Sequence, residues 1–282
     1  MASLNMTVRE ACDSDEHPNT VPVIVALDVT GSMGSIPVKL SQGDFTSLMG
    51  TLVNNGVTDV ALLFMAIGDH ISDRSPLQVG QFESDTAKID QWLTGMYLER
   101  GGGGSNEESY PLAWLVAARK TRTDAFDKRG RKGFLFTIGD ESFHKTYNAT
   151  YLTKILGDGY QDLTAEQLFV EASRRWHIFH IHCTDGSNGD GITHAYHYPQ
   201  GVGEEFRKLL GQRYMAVDSS LVAHTIGVTV GTLCGVDAKT LTSSMSADTA
   251  ALVLRATSTA VSKADSTALD VTTGVIDFSA GA

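Results

Sequence analysis

Five consecutive aliphatic residues, Val23-Ile24-Val25-Ala26-Leu27, run directly into Asp28, and nothing else in the 282-residue chain limits its fold as strongly. A run without polar alternation fits a strand covered on both faces, as in the interior of a parallel sheet. In open sheets of that kind ligands gather at the carboxyl ends of the strands. Here that end reads Asp28-Val29-Thr30-Gly31-Ser32, with one carboxylate and two hydroxyls at alternate positions. Such oxygen donors suit a hard divalent cation.

The same pattern recurs along the chain. Val57–Ile67 predicts a second strand that ends in Gly68-Asp69-His70, and Gly133–Ile138 a third that ends in Gly139-Asp140-Glu141. His177–Cys183 and Tyr214–Val217 read as further strands, and Leu77–Phe82 as a short edge strand. Apolar spacing predicts helices over Ile36–Asn55, Asp85–Met96, Leu163–Trp176 and Glu204–Gly211. A longer helix is predicted over Glu108–Phe126, with acidic residues in its first turn and basic ones near its end, as the helix dipole favours. This alternation predicts an α/β fold with a doubly wound, mostly parallel six-stranded sheet and helices on both faces. Residues 1–20 form a polar lead-in, with Met6-Thr7-Val8 the one hint of an added strand, and 21–236 carry the α/β domain. Residues 237–282 are an Ala/Thr/Ser-rich extension, with a helix predicted over Ala247–Ala264 and a strand over Ala268–Phe278.

A net charge of −11 argues against a nucleic-acid partner and fits a protein that gathers carboxylates around a cation. Cys12, Cys183 and Cys234 form no CxxC pair and suggest no disulfide framework, which fits a reducing compartment. The polar, acidic start does not resemble a secretory signal. The longest apolar region, Leu221–Val236, is shorter than a membrane span and reads as a buried helix or helix-strand unit. These features point to the cytoplasm, or to a particle assembled there, and away from a membrane.

Three motifs stand in order: Asp28-x-Thr30-x-Ser32, then Ser105-Asn106 after the run Gly101–Gly104, then Gly139-Asp140. A parallel sheet brings strand exits to one edge, so these oxygens can converge. The set resembles the von Willebrand factor A (VWA) domain and its metal-ion-dependent adhesion site, over roughly residues 20–220. The resemblance implies a Rossmann-like fold in which Asp28, Thr30, Ser32, Ser105 and Asp140 hold Mg²⁺ or Ca²⁺, with Mn²⁺ also compatible. Thr30 stands where the family more often has serine, and Ser105 or Asn106 where it has threonine. Asn106, Asp69, Glu107 and Glu141 are expected around the ligands, with Glu99 and Glu108 nearby by topology. A cation held by two carboxylates and neutral hydroxyls carries roughly zero net charge with its ligands, so it can still draw an anionic oxygen. The implied function is metal-dependent protein binding without catalysis. Its partner would present Asp or Glu to the metal, as an AAA+ ATPase or assembly partner in bacteria and phage could.

Two other classes fit parts of the sequence. Asp28-x-Thr30-Gly31-Ser32 also resembles the nucleophile turn of haloacid-dehalogenase-like phosphotransferases, with Asp140 binding Mg²⁺. Those families add a carboxylate shortly after the Gly-Asp pair, where this chain has Ser142-Phe143-His144-Lys145. A structural or assembly role would use the extension to form an oligomer. His180 and His182, with His194 or His197, have spacing open to zinc, but they are read first as core or strand-end histidines with satisfied hydrogen bonds. Arg119, Lys120, Arg122, Lys128, Arg129, Arg131 and Lys132 form a basic cluster, read as solvated surface or as a second docking face. Trp92, Trp114 and Trp176 lie within helical patterns as core residues.

Overall fold

A computed structural model describes residues 7–99, 107–157, 159–188 and 201–270, and of residues 46, 47 and 263–270 the backbone alone. Its main sheet contains Val21–Asp28 (β1), Val60–Ile67 (β2), Leu77–Val79 (β3), Gly133–Gly139 (β4), Trp176–Cys183 (β5) and Tyr214–Val217 (β6). The strand order is β6-β5-β4-β1-β2-β3, parallel throughout except for β3, which runs antiparallel to β2 at one edge. The longer helices are Phe45–Asn54 (α1), Thr86–Gly95 (α2), Pro111–Arg119 (α3), Ala149–Leu156 (α4), Ala165–Ser173 (α5), Glu204–Leu210 (α6), Val222–Leu233 (α7) and Ala247–Asp270 (α8). The result is a mixed α/β fold with a mostly parallel six-stranded sheet and helices around it.

The apolar run that opens the sequence is the interior strand β1, paired on both sides by parallel neighbours. Val23, Val25 and Leu27 face a cluster shared with Leu48 and Leu52 of α1 and Ile226 and Val230 of α7. Ile24 and Ala26 face another, with Leu112 and Leu115 of α3 and Leu168 of α5. Val23, Ile24, Val25 and Leu27 are each at most 1% exposed. Burial of this kind stabilises by roughly 1.5–3 kcal/mol per large aliphatic side chain.

Three predicted elements are corrected by the structure. The helix expected over Glu108–Phe126 is divided: Glu107–Glu108 is a short strand, α3 begins with Pro111 in its first turn, and Thr121–Thr123 is again a strand. Thr121–Thr123 pairs in parallel with Arg9–Ala11, so the lead-in does add a strand, slightly later than Met6-Thr7-Val8 and outside the main sheet. The β-branched Thr121 and Thr123 favour that pairing over continued helix. Ile36–Asn55 keeps its helical spacing as Ile36–Lys39, a π-helical turn at Leu40–Asp44, and α1. Trp176 opens β5 and does not end a helix.

The extension does not project from the domain as far as Ser262. Val253 of α8 packs with Val228 and Leu241, and Ala260 reaches the cluster around α7. Residues 268–270 of the strand expected at Ala268–Phe278 are helical, and the rest lies outside the described residues. Among the described residues no helix is long and apolar enough to cross a membrane.

Candidate functional site

The register of β1 on β4 pairs Leu27 with Ile138, so the two strands leave the sheet side by side at Asp28 and Asp140. Both carboxylates are fully buried, and Thr30 is only 4% exposed. Asp28 Oδ1 accepts hydrogen bonds from the Thr30 amide at 2.9 Å and the Thr30 hydroxyl at 2.6 Å. Its Oδ2 accepts one from the Tyr110 hydroxyl at 2.5 Å. The Ser32 hydroxyl donates to Asp140 Oδ1 at 2.7 Å, and the Thr30 and Ser32 oxygens lie 3.4 Å apart. Asp28, Thr30, Ser32 and Asp140 therefore form one connected set. Each hydroxyl spends its proton on a carboxylate, which leaves oxygen lone pairs for an electropositive group.

A third segment, after β5, completes the walls. The Asn188 amide donates to Asp140 Oδ2 at 3.1 Å, and the Ser187 amide donates to the Ser32 carbonyl at 3.0 Å. The Asn188 side-chain amide donates to Glu141 Oε1. Two glycines permit these approaches. A Cβ on Gly139 would lie 1.9 Å from the Tyr110 hydroxyl, and one on Gly186 2.5 Å from Asp140 Oδ2.

Crowded carboxylates give the site its electrostatic character. Burial and then the charge of Asp140 push the Asp28 carboxyl up to about 7. Burial raises Asp140 as well, against the hydrogen bonds from Ser32 and Asn188. Burial, then Asp140 and Asp28, carry Glu141 up to about 8. Burial, with Asp28 and Asp69 adding repulsion, carries Glu108 up to about 11. Glu108 Oε2 has no hydrogen-bond partner among the described residues. The donors are oxygens and the surplus charge is negative, a combination that fits a hard divalent cation.

Of the residues expected from sequence, the structure brings together Asp28, Thr30, Ser32 and Asp140, with Glu141 beside them. Ser105, Asn106 and the run Gly101–Gly104 lie outside the described residues. Asp69 and Glu107 meet around His144, at 2.8 Å and 3.2 Å. Glu99 is used elsewhere and accepts from the Ser75 amide at 2.6 Å. Sequence reasoning missed Tyr110 and Asn188. Tyr110 follows the acidic pair at the start of α3, and Asn188 sits in a polar turn after β5; neither position carries a local pattern that singles it out.

His180 is a buried core histidine, with Nδ1 2.9 Å from the Thr137 hydroxyl and its ring stacked 3.5 Å from that of Phe206. The His180 and His182 rings are 6.3 Å apart, and His194 and His197 lie outside the described residues. Much of the basic cluster is ion-paired. Arg119 meets Glu171, Arg122 meets Glu10, Lys128 meets Asp124 and Arg129 meets Asp13.

No family model matches the chain, and no curated protein matches it. Among solved structures the chain is similar to the pilus adhesin SpaC from Lactobacillus rhamnosus GG in its open conformation. The TM-score is 0.52 at 9% identity, over 78% of this chain and 31% of the adhesin. Another form of the same adhesin gives a TM-score of 0.50 at 8% identity, with the same coverage. Proximal thread matrix protein 1 from the mussel byssus gives 0.47 at 9% identity, over 78% of this chain and 48% of that one. The chain thus spans about a third of the adhesin's length. At these identities the likeness is one of fold.

Proposed function

We propose that this chain is a metal-dependent protein-binding domain with a doubly wound, Rossmann-like architecture of the VWA kind. Asp28, Thr30, Ser32 and Asp140 would hold a divalent cation, Mg²⁺, Ca²⁺ or Mn²⁺, whose bound form supplies an electropositive point for a partner's Asp or Glu. Ser105, or Asn106 beside it, belongs to the same reading as the loop donor.

One observation carries it. Two hydroxyl-bearing side chains and two buried carboxylates from separate strand exits join through hydrogen bonds of 2.6 Å and 2.7 Å, with the hydroxyl oxygens 3.4 Å apart. Burying two carboxylates side by side is costly unless positive charge accompanies them. Glu108 and Glu141 would otherwise make the centre strongly anionic and repel an acidic partner. Their raised titration, to about 11 and about 8, keeps them largely protonated near neutrality. Asp28 and Asp140 are the two carboxylates left to meet a cation, and one divalent ion that displaces their protons balances both.

The phosphotransferase reading finds less support. A nucleophilic aspartate needs an oxygen that can reach phosphorus, whereas Asp28 is fully buried and both its oxygens accept hydrogen bonds. Exposure to beryllofluoride should leave Asp28 unmodified by mass spectrometry and ¹⁹F NMR.

The direct test is Mn²⁺ titration of the chain, read as loss of the free-ion EPR signal, followed by capture of carboxylate-bearing partners with and without EDTA. Wild type should bind Mn²⁺ and Asp140→Asn should bind it about tenfold more weakly or worse, with EDTA-sensitive capture following Mn²⁺ occupancy. Equal Mn²⁺ binding by both proteins, or capture indifferent to EDTA, would remove the reading.

A further inference from the structure

Next to the Asp28 centre, three backbone segments are joined into a second polar core. The Ser109 amide donates to the Gly68 carbonyl at 3.1 Å, and the His144 amide to the Glu108 carbonyl at 3.2 Å. Glu107–Glu108 pairs in parallel with Ser142–Phe143. This arrangement fixes Asp69, His70 and His144 together although His144 is 75 positions from Asp69. Their side chains are 2%, 3% and 7% exposed.

The hydrogen-bond arithmetic around His144 is unusual. Its Nδ1 lies 3.2 Å from Glu107 Oε2 and its Nε2 lies 2.8 Å from Asp69 Oδ1. Both neighbours are carboxylate oxygens, whereas a neutral imidazole has only one N–H to offer. With that N–H directed at Glu107, the Nε2 lone pair faces Asp69, and a positive species must stand between them. The candidates are a second proton and a metal ion. His70 adds a third donor: its Nδ1 is 3.9 Å from Asp69 Oδ1, and donor atoms of all three residues lie within 4.8 Å of one another. Ser109 Oγ, 2.8 Å from His70 Nδ1, offers a fourth donor atom.

We propose that Asp69, His70 and His144 form a second metal site, selective for a divalent transition ion of the zinc class. Two imidazoles and one carboxylate match zinc's preference for nitrogen and oxygen in a four-coordinate shell, whereas Mg²⁺ and Ca²⁺ favour oxygen alone. Glu107 is the positioning partner of His144: a carboxylate on the distal ring nitrogen fixes the tautomer and strengthens the ligating one. Tyr147 and Tyr151, with ring centroids 4.8 Å and 5.0 Å from that of His70, wall the site. The site uses none of the Asp28 donors, so it stands or falls independently of the adhesion reading.

Co²⁺ titration of the EDTA-stripped full chain tests this through the visible d–d absorption of nitrogen-ligated cobalt, with Zn²⁺ competing against a chromogenic chelator. Wild type should develop the band at one equivalent and lose it to Zn²⁺. His144→Gln, which keeps a polar group facing Asp69 and Glu107, and His70→Ala should each weaken Zn²⁺ by about tenfold or more. Asp28→Ala should bind Co²⁺ as wild type does. Absence of the band in wild type, or an unchanged band in both histidine variants, would mean that a proton alone bridges the pair and overturns the proposal. Should the variants not fold, long-range ¹H–¹⁵N spectra of wild-type histidines decide the matter. Zn²⁺ must stop two of the nine imidazoles from titrating, and nine unaltered titrations would refute the site.

Discussion

Asp28 accepts from Thr30 twice and from Tyr110 once, so the rotamer of this carboxylate is held from two directions. Tyr110→Phe removes the bond to Oδ2 and leaves a buried oxygen without that partner. Loss of stability of about 1–3 kcal/mol is expected, measured by urea denaturation in EDTA. Asp140→Asn keeps the shape and removes one negative charge, so Mn²⁺ affinity should fall by about tenfold or more with little change in fold. Asp28, Thr30, Ser32 and Asp140 were legible in the sequence because each sits where an apolar run gives way to a polar turn. Tyr110 was not, since its bond to Asp28 spans 82 positions and depends on how α3 packs across the sheet. Asn188 was hidden for the same reason, reaching Asp140 across 48 positions.

At the level of elements, glycines set how closely the walls approach. Gly139→Ala would drive a methyl group to 1.9 Å from the Tyr110 hydroxyl, against both the end of β4 and the start of α3. It should abolish cation binding while far-UV circular dichroism stays close to wild type. The C-terminal helix makes a different prediction. Val253 and Ala260 of α8 are fully buried, so Val253→Asp should unseat the helix and lower the melting temperature by several degrees. Strands were well read from sequence because buried parallel strands are continuous apolar runs, and Tyr214–Val217 matches residue for residue. The helix expected over Glu108–Phe126 stops at Arg119 because Thr121–Thr123 follows as a strand, whose partner at Arg9–Ala11 is over a hundred positions away. Local pattern records propensity and not the existence of a distant partner strand.

Over the whole molecule, the crowded carboxylates tie stability to pH. Asp28 titrates at about 7 and Glu141 at about 8 in the fold, whereas unfolded carboxyls titrate near about 4. In that window the folded chain holds more protons than the unfolded one, so metal-free stability should decline as pH rises from about 4 to about 8. His144, raised to about 9 by bonds to Asp69 and Glu107 against its burial, adds to the decline above about pH 6.5. His70, lowered to about 4 by burial and by His144, opposes it below that point. Saturating Mg²⁺ should flatten the carboxylate part of the slope, checked by urea melts at about pH 5 and about pH 8 with and without the cation. The position of β1 has a kinetic consequence. It lies between β2 and β4, and Asp28 and Asp140 leave neighbouring strands of the sheet interior. A cation arriving there meets donors of β1 and β4 already ordered by folding. The rate of exchange would then follow how readily each ion sheds water: Ca²⁺ and Mn²⁺ would come and go quickly, and Mg²⁺, which dehydrates reluctantly, would reside longest.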